Sequence, residues 1–193
     1  SVALVYSFLR KRSESLDFYI PDRYNEGYGI SKKGIDFAAD NNFTLMIALD
    51  CGIKASEQVE YAKQKGIEFI ICDHHTADES IPDAYAVLDP KRPDCNYPDK
   101  NLSGCGVGFK FLQAFANRNQ IDFSELYELI DLVVVSIASD IVPLTGENRI
   151  LAYFGLKKLN ENPIKGFDII KKIAGVKDKE LNISDCVFKL GPR

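Results

Sequence analysis

The sequence predicts an α/β fold: a parallel sheet flanked by helices, followed by a mainly helical half. Short β-rich runs alternate with helical stretches in units of about 25 residues up to position 90, as parallel strands joined by right-handed crossovers do. The run FTLMIALD (43–50) is nearly all apolar, as a strand covered on both faces must be. From Gly104 onward helical stretches dominate.

Each element follows from its own residues. The first residues read as an apolar helix, and LDFYI (16–20) reads as a strand. SKKGIDFAADNN (31–42) predicts a helix with Ser31 as its N-cap. After the strand at 43–50, KASEQVEYAKQKG (54–66) is a helix that Gly66 stops. IEFIICD (67–73) is the next strand, and AYAVLDP (84–90) another, ended by Pro90. KRPDCNYPDKNLSG is polar and rich in Pro, hence a long loop. Helices follow at about 105–118, 123–138, 147–161 and 165–174. In DLVVVSIASDIVPL (131–144) the Val run suits a strand, but its length and the preceding SELYEL favour a buried helix, stopped by Pro143. No linker or repeat separates the α/β part, about 1–90, from the helical part, about 104–193. The uncapped apolar start and the abrupt FKLGPR read as the ends of a fragment of a longer chain.

At 193 residues, 46% of them apolar and 27% charged, the chain can bury a substantial core. No apolar run reaches the ~18 residues of a membrane helix. Apolar residues precede basic ones at the start, the reverse of a secretory signal, so a cytoplasmic protein is expected. The five cysteines are odd in number, widely spaced and without a CxxC, which predicts reduced thiols. A net charge of −4 argues against a surface coated in basic residues for duplex DNA. It is compatible with a nuclease whose carboxylates hold divalent ions, because bound ions return positive charge locally.

Ligands of parallel α/β sheets sit outside the carboxyl ends of the strands. There the sequence places Asp50, then Cys51 and Gly52; Asp73, His74 and His75; and Asp89. His74 and His75 are the chain's two histidines, and they are adjacent. Carboxylate and imidazole donors together suit Mn²⁺, Mg²⁺, Fe²⁺ or Zn²⁺, and the lack of a thiolate cluster weakens a structural zinc reading. A carboxylate such as Asp50 can bridge two ions, and such a pair activates water and steadies the oxygens at phosphorus. A second stretch, NLSGCGVGFKFLQAF (101–115), leads through Ser103, Gly104 and Gly106 into a helix with Lys110 in its first turn. Free N–H groups at such a start favour an anion. The same pattern also serves tight packing, and it lacks the GK[ST] of a P-loop. Asp140 ends an apolar helix, where the dipole disfavours it. That points to a metal or hydrogen-bond role beside a turn role.

CDHH (72–75) after an apolar strand resembles the signature of the DHH phosphoesterase superfamily. PDRYNEGYGIS (21–31), ALDCGI (48–53), VLDPKRPDCNYP (87–98), LSGCGVGFK (102–110), ASDIVPLTGENRIL (138–151) and GPR (191–193) extend the likeness along the chain. They narrow it to the RecJ-like branch of single-strand-specific 5′→3′ exonucleases. The resemblance implies a two-metal Mn²⁺ or Mg²⁺ site. In it Asp50 bridges the ions, His74 and Asp140 are ligands, His75 is a ligand or contacts the scissile phosphate, and Asp73 orients the histidines. Ser103, Gly104, Gly106 and Lys110 are expected to contact substrate, and Asp89 to be structural. A metal-activated water would release mononucleotides from single-stranded DNA, with no protein nucleophile and with Cys51 as packing. A single-strand-binding protein is the further partner implied.

The family's first motif, an Asp-rich DxDxDG turn, is absent, and in relatives it precedes the helix that SVALVYSFLRKR resembles. The family's smaller C-terminal domain would follow GPR. The resemblance therefore implies a truncated catalytic core, with an incomplete metal site and little or no activity by itself. Two other functions stay open: a DHH phosphodiesterase of short RNAs or cyclic dinucleotides, and a RecJ-like scaffold that binds nucleic acid without cutting it. The intact Asp50, His74, His75 and Asp140 speak against the scaffold. EGYG and GPR do not fit a manganese pyrophosphatase.

Overall fold

The computed structural model describes residues 1–192; Arg193, the last residue of the GPR segment, lies outside them. The elements run α1 (Val2–Leu9), α2 (Lys32–Asp40), β1 (Leu45–Leu49), α3 (Ser56–Gln64), β2 (Glu68–Cys72), β3 (Ala86–Leu88) and α4 (Gly104–Arg118). Then come α5 (Phe123–Tyr127), α6 (Ile130–Ser139), α7 (Gly146–Glu161), α8 (Lys165–Ile173), α9 (Ile183–Asp185) and a π-helix (Cys186–Leu190).

The three strands form one parallel sheet in the order β1-β2-β3. Alternation along the strands builds a core on each face. Met46 and Ala48 of β1, with Phe69 and Ile71 of β2, face α2 and α3, where Ile35, Ala38, Val59 and Ala62 cover them. Ile47, Leu49, Ile70 and Cys72 face the larger core of α1, α4 and α6. Phe69 and Ile71 are 1% and 0% exposed, and each such burial contributes roughly 1.5–3 kcal/mol. Ile47 pairs with Ile70 and Leu49 with Cys72, so both strands end at the same height.

Ser31 caps α2 by accepting a hydrogen bond from the Gly34 amide at 3.0 Å, as its sequence position predicts. Gly66 ends the turn after α3 with φ +74°. LDFYI (16–20) forms no strand. Its aromatic residues pack on helices instead of joining the sheet: Phe18 edge-on to Tyr6 at 5.1 Å, and Tyr19 against Phe37 at 5.5 Å. The helix expected at 123–138 is two helices, broken at Glu128–Leu129, and Leu126 and Ile130 on either side of the break are both buried. The helix favoured over a strand for 131–144 is present as α6, but it stops at Ser139, ahead of Pro143. There the chain turns through Ile141 at φ +53°, a costly conformation for a β-branched residue. The loop 91–103 is pinned to the start of α7. Asp99 accepts from the Glu147 amide at 2.8 Å, Tyr97 donates to Glu147, and the buried Asn148 side chain donates to the carbonyls of Asn101 and Pro143.

Candidate metal centre

Asp50 and the Asp73–His75 triplet follow β1 and β2 directly, so the sheet delivers them to one edge. The ladder continues past the strands: the Asp50 amide donates to Cys72 O at 2.8 Å, and the Asp73 amide to Leu88 O at 3.0 Å. Asp50 then takes φ +64°, a left-handed conformation that aspartate tolerates better than most residues, and Gly52 follows at φ +113°. The Tyr28 hydroxyl donates to Asp50 O at 2.5 Å and holds this turn from above.

Asp73 is 1% exposed and saturated. Its Oδ1 accepts from the amides of His74 (2.7 Å) and His75 (3.3 Å) and from His75 Nδ1 (2.6 Å); its Oδ2 accepts from the Ile53 amide (2.9 Å). It therefore aims the histidines rather than facing the opening.

His74 Nδ1 lies 3.1 Å from Leu102 O. A carbonyl can only accept, so Nδ1 carries a proton. Nε2 then points at Asp50 Oδ1, 3.2 Å away. With Nε2 unprotonated these two atoms face each other lone pair to lone pair, which either a proton on Nε2 or a bound cation relieves. Burial alone would raise the Asp50 carboxyl, but the His74 hydrogen bond and charge hold it below the usual value. The Asp50 hydrogen bond, against burial, raises His74. Both shifts express the same demand for one positive charge between them. Asp50, His74 and His75 each offer a ligand atom, all within 4.8 Å of one another. Two imidazoles and a carboxylate fit Mn²⁺ well and Mg²⁺, an oxygen-preferring ion, less well.

Asp140 lies outside that trio. Its carboxyl is raised by burial and by the Asp50 charge, and it accepts from Ser136 Oγ at 3.1 Å, with the Gly104 amide directed at it. It thus borders the cluster from the end of α6. Asp89, expected to be structural, is 2% exposed; Oδ1 accepts from the Lys91 amide at 2.8 Å, and Oδ2 has no hydrogen-bond partner among the described residues. Of the glycine-rich turn, Ser103 Oγ caps α4 by accepting from the Gly106 amide at 3.1 Å, and Gly104 and Gly106 are buried. Lys110 pairs with Glu147 Oε1 at 2.9 Å, away from the histidines. Burial, then the charges of Asp73 and Asp50, push the Cys51 thiol up to about 12, which leaves it a neutral packing group at neutral pH. Cys51→Ser is accordingly expected to keep at least half of the metal affinity, measured by Mn²⁺ titration; a complete loss would reveal a thiol ligand.

Two contributors escaped the sequence reading of the site. The Leu102 carbonyl has no residue-type signal at all. Tyr28, stacked edge-on to His75 at 6.1 Å with Arg23 at 5.6 Å from its own ring, was visible only as part of the family-like PDRYNEGYGIS segment.

A parallel α/β sheet with an Asp-His-His cluster over its strand ends defines the class: the chain belongs to the DHH family, whose N-terminal domain matches residues 1–137. Its relatives are RecJ exonucleases. It is 38% identical over 194 residues to the single-stranded-DNA-specific exonuclease RecJ of Bacillus subtilis (strain 168), covering 100% of this chain and 24% of that protein. Identity to RecJ of Escherichia coli (strain K12) is 33% over 189 residues, 93% of this chain and 33% of the relative. A crystal structure of exonuclease RecJ bound to manganese superposes with a TM-score of 0.86 at 26% identity, over 99% of this chain and 47% of the other. The chain spans about a quarter to a third of the length of these curated relatives.

Proposed function

We propose that this chain is the catalytic core of a metal-dependent exonuclease that removes mononucleotides from single-stranded DNA in the 5′→3′ direction, in recombination and repair. The observation that carries it is the convergence of Asp50, His74 and His75, whose ligand atoms all lie within 4.8 Å of one another at the strand ends. The RecJ relatives supply the substrate class. The core has an α/β part at about 1–90 and a helical part at about 104–193, with further ligands and a DNA clamp supplied by the rest of a longer enzyme. Divalent ions, Mn²⁺ or Mg²⁺, would be held by Asp50, His74 and His75 with Asp140 beside them. They would supply an activated water and stabilise the oxygens at phosphorus. The chain's own residues prepare that chemistry. Leu102 O holds the His74 Nδ1 proton so that Nε2 is the nitrogen turned to Asp50, Asp73 fixes His75, and the turn at Asp50–Gly52 presents the carboxylate. Among the described residues no helix is long and apolar enough to cross a membrane. Action on DNA in the bacterial cytoplasm, beside a single-strand-binding protein, completes the proposal.

The test uses the full-length gene product with 5′-labelled single-stranded and duplex DNA, in Mn²⁺ and in chelator. Metal-dependent release of mononucleotides from the single strand alone is expected. Cleavage of di- to pentanucleotide RNA but not of DNA would move the protein to the short-RNA branch. Binding with no hydrolysis would make it a scaffold.

A further inference from the structure

The glycine-rich entry to α4 reads in sequence as a place for a substrate phosphate. In the structure an anion of the chain itself already sits there. A Cβ added to Gly104 would lie 1.8 Å from Asp50 Oδ1, 2.2 Å from its Cγ and 2.8 Å from its Cβ. Turning the carboxylate aside would relieve the first two contacts. The third is near the backbone and would require β1 or α4 to move. Gly104 is buried, and its helix is anchored behind it: Ser103 is 0% exposed and caps the Gly106 amide, and the Val107 amide donates to Ser103 O at 2.9 Å. The Asp50 main chain is equally fixed, by the ladder bond to Cys72 and the Tyr28 hydroxyl. Neither side can yield. The residue before Gly104's cap, Leu102, supplies the carbonyl that sets His74. The Gly104 amide also faces Asp140.

We infer that Gly104 is a positioning residue for the metal centre: its missing side chain is the seat of the Asp50 carboxylate. The first turn of α4, whose end carries partial positive charge, holds that carboxylate between His74 and Asp140. This rests on the metal reading above and assigns the glycine to a ligand rather than to substrate. A seat of this kind makes metal affinity depend on a residue with no ligand atom. Outer contacts of metal ligands typically change affinity ten- to a hundredfold.

The test is a cycle of Gly104→Ala, Asp50→Gly and the double variant, read by Mn²⁺ binding (electron paramagnetic resonance) and by urea unfolding in chelator. Gly104→Ala is expected to weaken Mn²⁺ binding about ten- to a hundredfold. Its unfolding midpoint in chelator is expected to fall clearly in the parent background. In the Asp50→Gly background, where the three atoms nearest the added methyl are gone, the midpoint should move much less. If Gly104→Ala does not fold alone, recovery of a folded double variant gives the same answer. An equal loss of stability in both backgrounds, or parental Mn²⁺ affinity in Gly104→Ala, overturns the seat. All Mn²⁺ binding is measured in the full-length gene product; coupling in chelator without Mn²⁺ binding by the full-length parent would keep the contact and sink the metal reading instead.

Discussion

Asp73→Ala is expected to cost the chain both its metal affinity and a large part of its stability. The carboxylate is nearly inaccessible and accepts four hydrogen bonds, three of them from backbone amides. Alanine leaves the Ile53 and His74 amides buried without acceptors, at about 1–3 kcal/mol each. It also frees His75 to rotate away from the 2.6 Å contact that aims it. A loss of roughly 2–6 kcal/mol is a large share of a typical domain's 5–15 kcal/mol. Urea unfolding in chelator measures it. Asp73→Asn should fall between parent and alanine, because one amide oxygen still accepts while the NH₂ opposes the Ile53 N–H. An alanine variant as stable as the parent and still binding Mn²⁺ would remove Asp73 from the role of organiser.

His74→Ala separates the two losses. His74 is 9% exposed, but besides the Asp50 contact its side chain makes a single hydrogen bond among the described residues, to Leu102 O. The fold should survive at a cost of about 1–2 kcal/mol. The metal should not bind. At a hundredfold excess over its dissociation constant, Mn²⁺ is expected to stabilise the parent by about 2.7 kcal/mol. That corresponds to a rise in Tm of roughly 5–11 °C for a chain of this size. In His74→Ala this rise disappears, and the intact enzyme loses manganese-dependent cleavage. A variant whose Tm still climbs with Mn²⁺ would place the ion elsewhere.

The sheet and most helices were legible because burial writes itself into periodicity. FTLMIALD and IEFIICD could not be solvated, and SKKGIDFAADNN carried its own cap. LDFYI misled because aromatic, β-prone residues can satisfy themselves against helices without joining a ladder. The break at Glu128–Leu129 left no Gly or Pro behind. The short α9 and the π-helix that follows it were not foreseen, since a single wide turn has no distinctive residue pattern. In the site, side chains with chemistry of their own were legible as candidates: Asp50, Asp73, His74, His75 and Asp140. What stayed hidden was whatever acts through the backbone or through empty space. The Leu102 carbonyl and the hydrogen of Gly104 belong to every residue or to every glycine, and only packing gives them a role.

The pieces of the centre are far apart along the chain, and that has a temporal consequence. His75 leaves the ribosome 65 residues before Asp140, roughly 3–13 s earlier at usual synthesis rates. Leu102 and Gly104, which set His74 and seat Asp50, emerge in between. An unfinished chain therefore displays its histidines with neither the carbonyl that sets His74 nor the helix turn that holds the carboxylate. This chain's share of the cradle is assembled only when the helical half has docked on the sheet. On the proposed reading, metal binding is thereby postponed until the helical half has docked.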